Sequence, residues 1–231
     1  MIIKFKHYIL IIILLVLIYL LYLCYNINDN KKITRNKTDD ILKKNSSKIY
    51  GTEKVPIYII DNFLDIQECN KLINDLDEKS LHRSTLTHYD QNDTEFRTSK
   101  TGYFKDTVFH NYIEKKIKNF IKLNNAEISQ IQFYSPGEQF KPHFDAFDPI
   151  IDKKDYNTGQ RSWTFMIYLN DVEEGGETHF TNLNLKIKPK TGKAVIWYNL
   201  NTDGLPDTNT THAGLPVIKG KKYIITKWFK V

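Results

Sequence analysis

The sequence predicts an α+β domain preceded by one transmembrane helix, on three observations. Helical signals come early, between Asp65 and Leu123. From Glu127 onward short apolar strands alternate with turn signals, and the first 25 residues are far more apolar than the rest. Helices followed by a run of strands mark the α+β class, with sheets that close into a sandwich or barrel. A content of 41% hydrophobic and 13% aromatic residues is ample for a buried core and excludes disorder throughout.

Tyr8 to Tyr25 is a run of 18 residues without a charge, long enough to span a bilayer. It ends in Cys24-Tyr25-Asn26-Ile27 with no small-residue cleavage site, so residues 1–25 are expected to be an uncleaved anchor rather than a signal peptide. Lys31, Lys32, Arg35 and Lys37 beyond the run outnumber Lys4 and Lys6 before it, which favours a cytoplasmic catalytic part. Residues 26–54 are polar and rich in Lys and Asn, the composition of a flexible juxtamembrane linker. The net charge of +6 sits in these two segments: residues 1–25 carry +2 and residues 26–54 carry +4, so residues 55–231 sum to zero. A neutral folded domain gives no footprint for nucleic acid. Cys24 and Cys69 are too few for a disulfide framework.

The catalytic domain is expected over 55–231. "VPIYIIDNF" reads as a strand rich in β-branched residues, and the helix after it opens with Asp65 as N-cap and Glu68 three residues on, a capping box. Ile66, Cys69, Leu72, Ile73 and Leu76 form its core stripe. A second helix is expected over 107–123, with Val108, Tyr112, Ile113, Ile117, Phe120 and Ile121 on one face. Strands follow in "ISQIQFYS", "RSWTFMIYLND", "ETHFT", "LKIKPKTGKAVIWYN" and "KKYIITKWFKV".

His143 and Asp145 in "KPHFDAFD" lie two residues apart, so on an extended segment both side chains point to one face and can hold one ion. His212, in "TNTTHAGLPV" 69 residues later, opens another expected strand that could lie alongside. Two imidazoles and a carboxylate on one face of iron(II) leave three positions open, as in non-haem oxygenases. Further on, Lys222, Ile224, Thr226 and Trp228 share one strand face. A lysine among such neighbours is costly to bury unless it meets an anion, which makes Lys222 a candidate carboxylate clamp.

In order and spacing these residues resemble the iron(II)- and 2-oxoglutarate-dependent dioxygenases, and among them the prolyl 4-hydroxylase branch with its alpha-subunit catalytic domain. The resemblance runs from about Val55 to the C-terminus. It includes "IIDNFLDIQEC", "RTSKTGYF", "YSPGEQFKPHFD", "MIYLNDVEEGGETHF", "KPKTGKAVIWYN" and "HAGLPVIKGKKYIITKWF". It implies a double-stranded β-helix core, jelly-roll or cupin-like, flanked by N-terminal helices. His143, Asp145 and His212 become the iron ligands. Lys222, Tyr134, Thr178 and Thr226 become the 2-oxoglutarate contacts, and Arg97, Tyr103 and Trp228 the substrate contacts.

The cofactors implied are iron(II), 2-oxoglutarate, O2 and L-ascorbate, with succinate and CO2 released. The partner implied is a proline-containing peptide or protein, with no partner subunit identifiable and with the membrane reached through the N-terminal helix. A single-pass protein of the endoplasmic reticulum with a lumenal catalytic domain follows from the same resemblance. Gly137-Glu138-Gln139-Phe140 departs from the family's Gly-Gly-Gln-Tyr. Substrate choice then rests on the polar loops near 82–104 and 146–161, which are long enough to act as lids. The same chemistry on lysyl residues or a small molecule is the alternative, and a non-catalytic dioxygenase-like binding module is the rival from another class.

Overall fold

The computed structural model describes residues 2–76, 81–85, 95–104 and 106–231. The chain forms two units, one ending at Ile41 and one running from Leu42 to Val231. The first is most of a single helix, α1 (Ile2–Asn45).

The expected transmembrane helix is not met: among the described residues, no helix is long and apolar enough to cross a membrane. Beyond the apolar run α1 continues without a break through the polar Lys/Asn-rich stretch, where Arg35 and Asp39 pair across one turn at 3.7 Å. The anchor and the single-pass membrane location rested on that helix and are withdrawn with it, and the lumenal endoplasmic-reticulum placement that the resemblance implied is withdrawn too.

Residues 26–54 also differ from the expected flexible linker. They are helical to Asn45 and then form strand β1 (Lys48–Gly51), which pairs antiparallel with β2 (Pro56–Ile60). All four β1 residues are exposed. Backbone pairing to β2 holds this edge strand, and four residues are too few to stand out from the polar stretch around them.

Asp65 caps α2 (Ile66–Asp75) as expected: its carboxylate accepts the Glu68 N–H and Glu68 accepts the Asp65 N–H, each at 2.8 Å. Cys69, Leu72 and Leu76 are buried. Ile66 is 64% exposed, because at 3.6 residues per turn it lies about 60° off that stripe. After β3 (His82–Arg83) and β4 (Lys100–Gly102), helix α3 (Thr107–Lys118) starts at the Asp106 cap and stops short of the expected Leu123. Ile113 and Ile117 face the core. Val108 and Tyr112 are 79% and 50% exposed, since they stand about 220° and 260° around the helix from Ile113.

The remaining elements are β5 (Gln130–Tyr134), β6 (Phe140–His143), α4 (Lys153–Tyr156), β7 (Arg161–Tyr168), β8 (Glu174–Gly175), β9 (Thr178–Phe180), β10 (Leu185–Ile187), β11 (Ala194–Tyr198), β12 (His212–Gly214), β13 (Val217–Lys219) and β14 (Lys222–Lys230). Among the described residues one sheet has eight strands in the order β1-β2-β11-β7-β14-β5-β4-β3. A second has four, β10-β9-β12-β6, and β13 pairs with β8. This mixed α/β architecture fits the jelly-roll core that was expected, without the transmembrane helix.

The central strands β7, β11 and β14 are buried on both faces, and their residues alternate between two cores. Trp163, Phe165, Ile196, Ile225 and Phe229 join the cluster that contains the α2 and α3 residues Cys69, Leu72, Ile113 and Ile117. Met166, Tyr168, Val195, Trp197 and Ile224 join Phe180 and Ile187 of the smaller sheet. The second core opens into the candidate site.

Candidate active site

Register places the first two site residues. β12 lies between β9 and β6 in the smaller sheet, and its pairing with β6 sets the Cα of His212 directly opposite that of His143. Asp145 follows two residues after His143, just beyond the end of β6. The three side chains offer ligand atoms within 4.8 Å of one another, and all three residues are buried. His143 Nε2 is 3.9 Å from Asp145 Oδ1, and His212 Nε2 is 3.9 Å from Asp145 Oδ2. Those separations are too long for hydrogen bonds, so the three groups converge on a common centre without bonding one another.

The hydrogen bonds behind the imidazoles match the same purpose. His143 Nδ1 lies 2.8 Å from the Lys141 carbonyl and His212 Nδ1 lies 2.9 Å from the Thr210 carbonyl. A carbonyl can only accept, so both Nδ1 atoms carry protons and both Nε2 lone pairs face the centre, the arrangement of metal-ligating histidines. Burial, and then the neighbouring His212, hold the His143 imidazole well below its ordinary pKa and so neutral. Burial alone would raise the Asp145 carboxyl, but His212, His143 and the Thr164 hydroxyl together hold it below the usual range. Aromatic rings fix the imidazoles: Phe140 stacks on His143 at 3.5 Å, and Trp197 meets His212 edge-on at 4.9 Å.

The larger sheet supplies the other wall. Lys222 on β14 is the Cα partner of Tyr134 on β5, which sets Nζ 4.4 Å from the Tyr134 ring centre. Lys222 is 1% exposed and donates to the Gly176 carbonyl at 2.9 Å, while among the described residues no carboxylate comes within 4.0 Å of it. Burial therefore lowers its pKa to about 7. A Cβ at Gly214 would stand 3.4 Å from Nζ, so the glycine keeps space beside the ammonium that a carboxylate can use.

Together with Thr178, Thr226 and Trp228 these residues line one cavity. Eight of the ten expected site residues thus meet in one place: His143, Asp145, His212, Lys222, Tyr134, Thr178, Thr226 and Trp228. Arg97 and Tyr103 do not line it. Arg97 is buried against the Phe140 ring at 4.5 Å and donates through Nη1 to the Thr85 carbonyl and through Nε to Ser99. Its Nη2 has no partner among the described residues. Tyr103 is 49% exposed and stacks near His82 at 6.3 Å. Of the two expected lids, residues 86–94 lie outside the described residues.

Sequence reasoning missed Gln132, Met166 and Trp197 as cavity walls. Gln132 was reachable, since it alternates with Tyr134 on one strand. Trp197 was not, because nothing in "AVIWY" says which face of a doubly buried strand meets the metal.

The family model described as the 2OG-Fe(II) oxygenase superfamily matches residues 129–230, a stretch that holds all three triad residues and Lys222. "Probable prolyl 4-hydroxylase 3" of Arabidopsis thaliana is 33% identical over 201 residues, covering 75% of this chain and 69% of that protein. The chain belongs to the prolyl 4-hydroxylase family. Human "Prolyl 4-hydroxylase subunit alpha-3" is 35% identical over 180 residues, which are 74% of this chain but 33% of that subunit. Among solved structures, the viral collagen prolyl hydroxylase of Paramecium Bursaria Chlorella virus-1, in its 2OG complex, superimposes with a TM-score of 0.62 at 31% identity. The match covers 76% of this chain and 96% of that one. This prolyl hydroxylase is an iron(II)- and 2-oxoglutarate-dependent dioxygenase that uses O2 and ascorbate.

Proposed function

We propose that the iron is held by His143, Asp145 and His212, and that the enzyme acts on prolyl residues within a proline-containing peptide or protein segment. The observation that carries this reading is the convergence of the triad and the buried Lys222 on one cavity. Iron, when bound there, supplies oxidative decarboxylation of 2-oxoglutarate to succinate and CO2, coupled to hydroxylation of the substrate carbon.

The protein residues bind, orient and keep water out. Lys222 pairs with the distal carboxylate of 2-oxoglutarate, and the charge it regains on pairing offsets the cost of its burial. Tyr134 stays a neutral phenol, since burial raises its pKa, and so remains a hydrogen-bond donor beside that carboxylate. Thr226 stands on the same strand face as Lys222. Thr178 is fixed by the Tyr168 hydroxyl, 2.6 Å away. Trp228 has a buried indole N–H without a partner among the described residues and lines the cavity, as a donor for a peptide carbonyl should. Arg97 and Tyr103 complete the proposed substrate side: Arg97 supports Phe140, on which His143 rests, and Tyr103 offers an exposed ring.

The test is a turnover assay on the chain with iron(II), 2-oxoglutarate and ascorbate, following succinate and peptide mass in the same tubes. A proline-rich peptide should raise succinate release and gain one oxygen atom on proline. Succinate without peptide dependence, together with oxygen on a lysyl peptide or a small molecule, would overturn the prolyl assignment.

A further inference from the structure

Behind the triad lies a directed chain of buried polar groups. Thr164 Oγ1 is 2.6 Å from Asp145 Oδ2, and Asn199 Nδ2 is 2.9 Å from Thr164 Oγ1. Thr164, on β7, and Asn199, one residue past the end of β11, are both 0% exposed, and neither lines the cavity. A carboxylate can only accept, so the single Thr164 proton is committed to Asp145 and the Thr164 lone pairs are left for the amide. Asn199 must therefore present its NH2 group. With the amide reversed, its oxygen and the carboxylate would compete for one proton. Asn199 is itself held through its backbone, donating to the Ser162 carbonyl and accepting from the Asp207 N–H, both at 2.8 Å.

We propose that Thr164 and Asn199 are positioning residues that restrict Asp145 to one metal bond, by occupying Oδ2 so that Oδ1 alone is offered to the ion. The proposal rests on the assignment of His143, Asp145 and His212 as ligands. A carboxylate that used both oxygens would take a further place on an octahedral ion. Three places must remain for the two chelating oxygens of 2-oxoglutarate and for O2. Orientation of a ligating carboxylate by hydrogen bonds from outside the ligand set is a general way to fix such geometry. The Asn199 amide extends it one step further by fixing the direction of the Thr164 proton.

The test measures metal binding without turnover, by titrating the full chain with Mn(II). Thr164→Val and Asn199→Asp should each weaken Mn(II) binding about 10–100-fold, and Thr164→Ser, which keeps the hydroxyl, should match the wild type. Asn199→Asp puts an acceptor where only a donor serves, so in a Thr164→Val background it should cost nothing more. In the iron(II) protein with 2-oxoglutarate, nitric oxide read by electron paramagnetic resonance reports the open place: occupancy should fall severalfold in Thr164→Val and stay unchanged in Thr164→Ser. Mn(II) affinity and nitric oxide occupancy at wild-type levels in Thr164→Val, or losses that multiply in the double variant, would overturn the proposal. If Thr164→Val fails to fold, as metal-free thermal melting would show, Asn199→Asp carries the same test. His143→Ala separates the two readings. If it binds Mn(II) normally the ligand assignment itself fails, and if it loses Mn(II) while Thr164→Val and Asn199→Asp keep it, only the positioning proposal does.

Discussion

Lys222 shows how one residue's environment dictates its partner. Its pKa of about 7 reflects burial with little compensating charge. In the folded protein Lys222 thus binds fewer protons between about pH 7 and its ordinary value of 10.5 than in the unfolded chain. Its burial penalty is full below pH 7 and relieved as pH rises through that window, so this group makes stability increase with pH there. A dicarboxylate reverses the preference, because the pair requires the ammonium. Above pH 7, binding of 2-oxoglutarate should take up a proton, and affinity should fall with rising pH. Titrating 2-oxoglutarate into the Mn(II)-loaded protein from about pH 6 to pH 9 should show that decline in the wild type. Lys222→Ala should bind at least about tenfold more weakly, with the decline gone. An unchanged pH dependence in Lys222→Ala would remove Lys222 from the co-substrate site. The residue pattern had already singled this lysine out, because a charge on a face with Ile224 and Trp228 asks for an anion. Thr164 and Asn199 left no such mark: each is an ordinary polar residue in its own strand sequence, and their meaning appears only when β7 and β11 lie side by side.

At the scale of elements, local signals were legible and face assignments less so. The Asp65–Glu68 box depends on four consecutive residues and is present as read. The faces of α3 were misjudged at Val108 and Tyr112, since an apolar residue near a helix start satisfies a loose periodic count without pointing inward. What docks α3 is partly a buried ion pair that no periodicity shows. Glu114 contacts Lys227 of β14 at 2.5 Å and also bonds to Ser129, and Lys227 is 3% exposed. Burial would raise the Glu114 pKa, yet His110, Lys227 and Ser129 pull it down to about 2. A depressed carboxylate contributes stability that is present above its ordinary 4.5 and lost as pH falls from there toward 2, which predicts acid loosening of α3 over that interval. Glu114→Ala removes the carboxylate from the buried Lys227 ammonium, which keeps the Glu127 carbonyl at 2.8 Å, and should cost about 3–5 kcal/mol in urea unfolding. Replacing both partners, as Glu114→Leu with Lys227→Met, should recover most of that loss. If the single and double variants unfold alike, the pair does not couple α3 to the sheet.

For the molecule as a whole, the site is where the two sheets share a task. His143 and His212 stand on the smaller sheet, whereas Lys222, Thr226 and the Thr164 that holds Asp145 stand on the larger. This explains why the domain was readable from short motifs scattered over 55–231 and why the N-terminal helix was not. The motifs mark strand ends that must converge, whereas the reading of α1 rested on its apolar run alone. An ion held by the first sheet and a dicarboxylate held by the second should fasten both together. Each ligand at about 100 times its Kd adds about 2.7 kcal/mol to unfolding, or roughly 5–10 °C in Tm for a chain of this size. Mn(II) alone should therefore raise the melting temperature, and 2-oxoglutarate should raise it further only when Mn(II) is present, because its chelating end needs the metal. Lys222→Ala should keep the first increment and lose most of the second, while His143→Ala should lose both. A 2-oxoglutarate increment that persists without Mn(II) or in His143→Ala would place the co-substrate somewhere other than between the sheets, and the shared site would have to be abandoned.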